Sequence, residues 1–280
     1  MGHEKLIQKF KKQIKDLKTE AFTEASLKKV FDDIIRYIDE DVKDKAFDRL
    51  ASNLTMGLGV HAGDYPKHLI LNGDKDGWKY ITRYLLWQDH ILYKLFNYKE
   101  VSSRSVGCII ALATIWKMEK LAQLSRDYFQ LLFNQDKKSY THDETHHLFV
   151  ATLFDLYSTK SINQDFYDTL PKEHVYKKFL DHWNTENLEV LATIIFDICD
   201  MHIYSALDLK DKFSEILSLD LIPYEIRLIQ VLREQNGLAM PKVSHPLLET
   251  PLAEIPAEKP EWDLSKDQVF QYLISKEKAD

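Results

Sequence analysis

The stretch from Leu221 to Pro256 constrains the fold most strongly, because it joins a short helix directly to a segment that cannot be helical. Pro223 suits the first turn of a helix, where the missing N–H of proline costs no hydrogen bond. Asn236 and Gly237 predict the end of that helix, since glycine readily adopts the left-handed conformation found there. Beyond it, prolines recur at a five-residue step with apolar residues between them, which predicts a stiff, extended strap lying along the protein. The helix is marked by Ile226, Leu228, Ile229 and Leu232, and the strap by Pro241, Pro246, Pro251 and Pro256.

Apolar residues recur at helical spacing along the rest of the chain, and no run alternates as a strand would. The chain has 8 glycines and 8 prolines, too few for the tight turns of a β-sandwich or barrel. We therefore predict an all-α fold, an irregular array or bundle of about ten helices paired as antiparallel hairpins. The predicted helices cover 4–18, 24–40, 42–60, 77–97, 142–158, 165–182, 186–206, 208–217, 223–236 and 266–277, with a main loop over 57–77 and two helices within 102–133 that meet near 116–119.

No segment of the sequence reads as a flexible linker, so we predict a single all-helical domain over residues 1–280. With 45% hydrophobic residues, a chain of this length can bury a large core. Within the domain, the extended strap covers 238–263 and a terminal helix covers 265–277. Ser265, with Gln268 three residues later, predicts the cap of that helix.

The helix at 223–236 and the strap after it, which contains the motif SHPLLETP at 244–251, resemble the C-terminal part of bacterial immunity proteins of the immunity protein 49 family. This resemblance implies an all-helical cytoplasmic protein that is encoded beside a polymorphic toxin. It also implies the function, which is to neutralise the cognate secreted toxin by direct, tight and stoichiometric binding. The expected partner is the effector domain of that toxin.

The charge and hydropathy of the chain limit which kinds of partner and which cellular location we expect. The formal net charge of -7 argues against direct nucleic-acid binding, which needs a basic face to displace counterions from phosphates. The N-terminus lacks the continuous apolar segment of an export signal. The longest apolar run, 108–116, is about half of the ~20 residues that a membrane span requires. We expect a cytoplasmic protein without membrane contact, in which Cys108 and Cys199 are buried free thiols.

The sharpest chemical motif is HDETHH, which begins at His142. His142 and His146 have the spacing of the zinc-binding H-E-x-x-H motif, and Glu144 could add a ligand. However, Asp143 stands where that motif needs its general-base glutamate, and the chain has no second Glu-x-x-His for a di-iron site. Thr141 and Glu144 instead match a capping box, which favours a helix start that carries surface histidines and binds no metal. A metal-dependent helical enzyme using this cluster remains the alternative.

A second motif resembles the opening of a calcium loop. Asn72, Asp74 and Asp76 supply oxygen atoms at positions one, three and five, and Gly77 occupies position six. Position twelve is Arg83, which places a positive charge where a bidentate glutamate is required. The motif therefore predicts a glycine-containing turn that leads into the next helix.

Acidic residues form two groups. The first lies around the turn between the second and third helices, and the second runs along the strap. Either group can be a solvated face. The functional interpretation is a surface that mimics phosphate and occupies the basic cleft of a nuclease-like toxin, where complementary charge speeds association. The first group, which is the predicted contact, comprises Asp39, Glu40, Asp41 and Asp44, and the second comprises Glu249, Glu254, Glu258, Glu261 and Asp263.

Aromatic residues on one long helix add a candidate interface. Tyr80, Tyr84 and Trp87 could supply the large side chains that dominate binding energy, although aromatic residues at helical spacing are more often core. No Gly-x-Ser-x-Gly elbow and no phosphate-binding glycine loop occurs in the sequence. We therefore predict a toxin-binding protein and not an enzyme, with no cofactor. A helical scaffold protein is a further alternative, and a homodimer is possible.

Overall fold

The computed structural model describes residues 2–20, 22, 24–57, 63–94, 103–141, 144–207 and 214–277. These residues contain helices and no strand, which confirms the predicted all-α fold. Three short 3-10 helices, Ser139–Thr141, Pro251–Ala253 and Leu264–Lys266, also occur in them. The α-helices of the described residues are α1 His3–Thr19, α2 Glu24–Lys43, α3 Phe47–Met56, α4 Asp64–Leu71, α5 Gly77–Lys94, α6 Ser103–Ile115, α7 Glu119–Gln135, α8 Thr145–Thr159, α9 Gln164–Thr169, α10 Val175–His182, α11 Leu188–Ala206, α12 Tyr224–Gln235 and α13 Gln268–Glu277.

Helices α6 and α8 form the centre of the fold. Every residue of 105–116 and of 145–156 is buried. Helices that are apolar all round are expected to be covered on all sides, and α6 packs against α7, α8 and α12. Helix α12 also packs against α8, so the helix that precedes the strap is part of the core.

Neighbouring helices pack in pairs, as predicted: α2 with α3, α4 with α5, α6 with α7, and α10 with α11. The predicted meeting point near 116–119 is confirmed, because α6 ends at Ile115 and α7 begins at Glu119. Lys117 adopts the left-handed conformation there, with φ of 55°. Early and late parts of the chain also meet, since α1 packs against α11 and α2 against α13.

The main loop predicted over 57–77 is wrong in its middle, where α4 forms. Gly63 precedes this helix and Gly73, with φ of 85°, follows it, so these glycines mark its two ends. Pro66 lies in the first turn, where the missing N–H costs no intrahelical hydrogen bond. Ile70 and Leu71 are buried against the rest of the protein. The density of glycines in this stretch concealed a short amphipathic helix.

Other predicted helices differ from the structure for local reasons. The predicted helix over 165–182 is two helices, α9 and α10, because Pro171 disfavours the helical conformation of Leu170, which is extended. The helix predicted over 208–217 is absent from its described part, 214–217. Glu215 and Ile216 there donate their main-chain N–H groups to the carbonyl of Ser205. Residues 208–213 lie outside the described residues.

The last helix begins later than predicted and has a different cap. Ser265 lies in a 3-10 helix, and α13 begins at Gln268. The Oδ1 of Asp267 accepts a hydrogen bond from the N–H of Phe270 at 3.2 Å, so Asp267 caps α13. The same capping rule could have selected Asp267 from the sequence. What the sequence does not show is that Asp267 also has a partner far away in the chain.

That partner is Arg83 of α5. Its Nε and Nη2 donate to the two carboxylate oxygens of Asp267 at 2.6 and 2.7 Å. The indole N–H of Trp87 donates to the same carboxylate at 3.0 Å. Arg83 and Asp267 are both buried, so this bidentate pair fastens the C-terminal helix to the core.

The strap packs on the body, as predicted, but it is not extended throughout, since it turns at 246–249 and forms a 3-10 helix over Pro251–Ala253. Leu247 and Leu252 are fully buried. His245 is also buried, and its Nε2 lies 3.0 Å from Oδ1 of Asp200. Near the end of the proline series, the indole N–H of Trp116 donates to the carbonyl of Pro256 at 2.9 Å. These contacts anchor the strap on the body from 245 to 256.

The start of the strap is fixed by Arg233, which lies in the last turn of α12. Its guanidinium is fully buried and donates to the carbonyl oxygens of Trp183, Thr185 and Ala239. Gly237 has φ of 70° and ends the helix, as predicted. The direction in which the strap leaves α12 is therefore set by hydrogen bonds to the backbone on both sides.

Removing a buried strap side chain should destabilise the whole fold. We expect Leu247→Ala to lower the free energy of unfolding by about 2–5 kcal/mol, because it leaves a cavity in a packed core. Leu188→Ala is the matched control, since Leu188 is 38% exposed and should lose far less. Chemical denaturation with guanidinium measures both. Equal unfolding curves for Leu247→Ala and wild type would show that the strap is not part of the core, and truncation after Gly237 should then be tolerated as well.

Breaking the Arg83–Asp267 pair should be costly. We expect Asp267→Asn to lower the free energy of unfolding by about 3–5 kcal/mol, because it leaves a buried guanidinium without its counter-charge. The double variant Arg83→Met with Asp267→Leu should lose less than Asp267→Asn alone.

The same pair predicts acid sensitivity. Burial raises the pKa of Asp267, but the hydrogen bonds and charge of Arg83 outweigh burial and lower that pKa below its ordinary value. A lowered carboxyl pKa stabilises the native state above the unfolded-state value of about 3.9, and this stabilisation is lost as the pH falls through the folded-state pKa. Asp267→Asn should lack this part of the acid transition in pH-dependent unfolding. An unchanged acid transition would contradict the assignment.

Candidate functional site

Three side chains from three helices meet in the interior: His146 of α8, His202 of α11 and Glu225 of α12. All three are fully buried. One nitrogen or oxygen atom of each lies within 4.8 Å of those of the other two, close enough for a shared metal ion. Two imidazoles and a carboxylate are ordinary zinc ligands. We name these three residues the His–His–Glu cluster.

His202 is held at both ring nitrogens. Its Nε2 lies 2.9 Å from the main-chain oxygen of Asp220, which only accepts, so Nε2 carries a proton. Its Nδ1 lies 2.7 Å from Oε1 of Glu225. Burial lowers the pKa of His202, but the charge and hydrogen bond of Glu225 and the hydrogen bond to Asp220 outweigh it, so the pKa lies above its ordinary value. In the absence of a metal, His202 and Glu225 therefore form a buried ion pair.

His146 has the opposite character. Its Nδ1 lies 3.0 Å from the hydroxyl of Tyr176, and its Nε2 lies 3.1 Å from the hydroxyl of Tyr224. Burial, followed by the charges of His147 and His202, lowers the pKa of His146 well below its ordinary value. Burial also raises the pKa of both tyrosines, so they stay phenols. A neutral imidazole between two hydroxyls keeps a lone pair on one ring nitrogen.

Only one of the two carboxylate oxygens of Glu225 has a hydrogen-bond partner. Its Oε1 pairs with His202, whereas its Oε2 is buried and has no hydrogen-bond partner. A buried acceptor without a partner costs about 1–3 kcal/mol, and more when the group is charged. The cluster therefore contains a carboxylate oxygen whose position is unfavourable unless a further cationic or donor group meets it.

A second polar layer supports the cluster. The Glu215 carboxylate accepts from the main-chain N–H of His146 and, at 3.2 Å, from the hydroxyl of Ser205. His147 donates from Nε2 to the main-chain oxygen of Glu215 at 3.1 Å. Gly107 of α6 lies against the His147 ring, and a Cβ at this position would come within 2.6 Å of Nδ1. Contacts with Glu215 and Gly107 thus hold the two consecutive histidines of α8 in the core.

The predicted surface histidines are therefore a mistake. His146 and His147 are fully buried because α8 lies at the centre of the fold. The predicted capping box is also wrong: α8 begins at Thr145, and Glu144 at its N-cap makes no side-chain cap hydrogen bond. His142 lies outside the described residues, and the proposed set of His142, His146 and Glu144 is not brought together in the part that is described. His146 meets His202 and Glu225 instead.

The predicted acidic contact is largely used within the protein. Asp41 is only 2% exposed, so it cannot serve as a surface contact. Its carboxylate accepts from Arg49 and, at 2.8 Å, from the side-chain amide of Asn53. Arg49 also donates to Asp44 at 2.9 Å. One arginine thus offsets the charge of two of the four predicted residues.

The other two predicted acidic residues are exposed but also paired. Asp39 accepts from the hydroxyl of Tyr272 at 2.7 Å and pairs with Lys276 at 2.8 Å. The hydrogen bonds from Lys276 and Tyr272 lower the pKa of Asp39. Glu40 lies 3.4 Å from Arg36. The junction between α2 and α3 therefore carries less net negative charge than the sequence indicates.

The predicted aromatic hot spots are core residues for the most part. Tyr84 is 3% exposed and Trp87 is fully buried, so neither can anchor a partner. Tyr80 is half-buried and packs edge-on against Tyr65 and at a tilted angle against Trp262, with ring centroids 5.2 Å apart in each case. For Tyr84 and Trp87, the interpretation as residues of the hydrophobic core is therefore correct.

The calcium-like motif forms a turn, as predicted. The main-chain N–H of Asp76 donates to Oδ1 of Asp74 at 2.9 Å, and Asp76 pairs with Lys79 at 2.8 Å. Arg83, at the position of the missing ligand, points to Asp267 in the core. Both cysteines, Cys108 and Cys199, are free and buried, as predicted.

Sequence reasoning missed His202 and Glu225, although each carried a visible signal. His202 lies four residues after Ile198, and Glu225 lies three and four residues before Leu228 and Ile229. Both polar residues therefore occupy the apolar face of their helix. A titratable residue on a core face is a candidate for a buried pair, but its partner cannot be read from the helix alone.

Comparison with known proteins assigns no relative. No family model, no curated protein and no solved structure matches the chain. Among the helices that the structure describes, none combines the length and apolar character needed to cross a membrane. The function has to be inferred from the sequence resemblance and from the geometry of the molecule.

The pairing of His202 with Glu225 predicts a pH dependence of stability. A raised histidine pKa stabilises the native state below the unfolded-state value of about 6.5, and this stabilisation is lost as the pH rises through the folded-state pKa. We expect protein refolded in a chelator to lose unfolding free energy as the pH rises above about 6.5, by at most about 1.4 kcal/mol per pH unit. His202→Gln should lack this slope, whereas His182→Gln, which removes an exposed histidine, should retain it.

Denaturant unfolding at a series of pH values measures this slope. Nuclear magnetic resonance titration of the histidine rings checks it independently, since His202 should stay protonated above the ordinary histidine pKa of about 6.5. A slope that persists in His202→Gln would contradict the assignment of the buried ion pair.

Proposed function

We propose that this protein is a bacterial immunity protein that neutralises a cognate secreted toxin in the cytoplasm by direct, tight binding. The support from sequence is the resemblance of 221–256 to the immunity protein 49 family. The support from structure is that this segment is an integral part of an all-α protein. Its helix, α12, packs against α6 and α8, and its strap is anchored on the body by Leu247 and Leu252.

The observation that carries the proposal is that the strap has a buried apolar side and an exposed acidic side. Its apolar side chains are buried, whereas its acidic side chains, Glu249, Glu254, Glu258 and Glu261, are exposed. In the part of the chain that the structure describes, Glu254, Glu258 and Glu261 form no ion pair. A row of carboxylates that is held in place and not internally neutralised is suited to a basic partner surface.

A groove lies beside the strap. It has a volume of about 430 Å³ and is lined by acidic and basic residues, Asp74, Asp76 and Glu254 with Lys75 and Lys79. Because Asp76 is paired with Lys79, Asp74 and Glu254 are the carboxylates that a lysine or arginine of the toxin could meet there. We therefore place the proposed toxin contact on the strap and not on the junction of α2 and α3, where the acidic residues are paired with Arg36, Arg49 and Lys276.

Charge reversal on the strap tests this placement. We expect the variant Glu254→Lys, Glu258→Lys, Glu261→Lys to bind the neighbouring gene's toxin with a slower association rate and a weaker salt dependence, because surface charges act mainly on the rate of encounter. The matched control is Asp32→Lys, Glu40→Lys, Asp44→Lys, which makes the same change in net charge at exposed positions, one within α2 and two at the junction. Its association should change much less. Surface plasmon resonance at several salt concentrations measures both, and co-expression with the toxin measures protection.

The possible outcomes test the proposed class of protein separately from the proposed contact surface. Unchanged association and protection by the strap variant would reject the strap as the contact and leave the immunity class standing. Slower association with the junction variant instead would restore the contact predicted from the sequence. A wild-type protein that neither binds nor protects against the toxin of its own gene neighbourhood would reject the class.

A further inference from the structure

We propose that His146, His202 and Glu225 bind one divalent transition-metal ion, zinc by the chemistry of the ligands, and that this ion ties α8, α11 and α12 together inside the fold. This site is independent of toxin binding. It differs from the metal set considered from the sequence, because two of its three ligands lie far from the HDETHH motif.

The separation of the three groups fits a metal site. Zinc bonds of about 2.0–2.2 Å place neighbouring ligand atoms of a tetrahedral site roughly 3.4 Å apart. The candidate atoms of the cluster already lie within 4.8 Å of one another, so small side-chain rotations bring them to that spacing. The contact of 2.7 Å between His202 and Glu225 would lengthen as the ion replaces the shared proton.

The unpartnered oxygen of Glu225 points to a ligand independently of that spacing. Oε2 is buried and has no hydrogen-bond partner, while Oε1 is engaged with His202. A metal ion bound to Oε2 would give this oxygen a cationic contact, which the hydrogen bond between Oε1 and His202 does not supply. The cost of the buried acceptor is thereby removed.

The surrounding groups hold the imidazoles as metal ligands require. His202 donates from Nε2 to the carbonyl of Asp220, which leaves Nδ1, the nitrogen beside Glu225, free to coordinate. A histidine ligand usually donates its other ring N–H to a carbonyl or carboxylate in this way. His146 can keep one tyrosine hydroxyl as its partner and coordinate through the other nitrogen.

The kinds of ligand atom in the cluster favour zinc. Two nitrogens and one carboxylate suit zinc, while calcium and magnesium prefer sites made of oxygen.

The burial of the cluster indicates a structural ion. All three ligand side chains are fully buried, so the ion would have no access to a substrate. It would instead cross-link helices that are far apart in the sequence and would be loaded as the chain folds, because a preformed site does not exist in the unfolded state.

Refolding the full-length chain tests the site. The purified protein is unfolded in guanidinium with a chelator, refolded either with zinc chloride or with the chelator, and passed through gel filtration before its metal content is measured. We expect about one zinc per chain after refolding in zinc, and a higher melting temperature than for the chelator-refolded protein. Refolding with cobalt should give the visible absorption of a tetrahedral site, and magnesium should raise the melting temperature of neither sample.

Conservative variants locate the site. Glu225→Gln and His202→Gln should weaken zinc retention at least about tenfold in a chelator competition, while His90→Gln, which alters a buried histidine of α5 that contacts Glu277, should retain zinc. Equal zinc content in Glu225→Gln and wild type would overturn the assignment of the ligands. If the variants do not fold, the wild-type comparison decides alone: a wild-type protein that refolds in zinc but holds none, with the same melting temperature as in the chelator, would show that the cluster is an ion pair without a metal.

Discussion

The cost of burying polar groups determines how the helices of this protein are joined. A charged or hydrogen-bonding side chain that leaves water must find its partner in the fold. Here those partners lie far away in the sequence: Asp267 for Arg83, Asp220 for Lys67, and Glu225 for His202. An apolar core alone would accept many ways of packing similar helices. Buried pairs of this kind are compatible with very few arrangements of the helices, since each misplaced helix would leave a charge without its partner.

Asp220 shows how these pairs combine into one network. Its side chain pairs with Lys67 of α4, and its main-chain oxygen accepts from His202 of α11. Burial lowers the pKa of Lys67, but the charges of Asp220 and Asp64 outweigh burial and raise it, so the ammonium persists. His202 then pairs with Glu225 of α12. A continuous line of polar contacts thus runs from α4 to α12, through the segment that follows α11.

The sequence predicts well those features whose cause is local. The turn between α6 and α7, the end of α12 at Gly237 and the burial of Leu247 and Leu252 each follow from residues within a few positions. Pro171, which divides α9 from α10, was an equally local signal that the helical periodicity around it concealed. The His–His–Glu cluster could not be predicted in the same way, because its residues come together only when three helices pack. The acidic junction was misjudged for the same reason, since Lys276 reaches Asp39 from the other end of the chain.

Helix α12 connects the two parts of the molecule to which we assign a role. Glu225 lies in its first turn and belongs to the buried cluster, while Arg233 lies in its last turn and fixes the start of the strap. Eight residues of helix separate them by about 12 Å. The strap therefore leaves a helix that is held at both ends by buried polar contacts, and the backbone that carries its exposed carboxylates is anchored before any partner arrives. Preorganisation of this kind reduces the entropy lost on association, which is what tight binding by a row of surface charges requires.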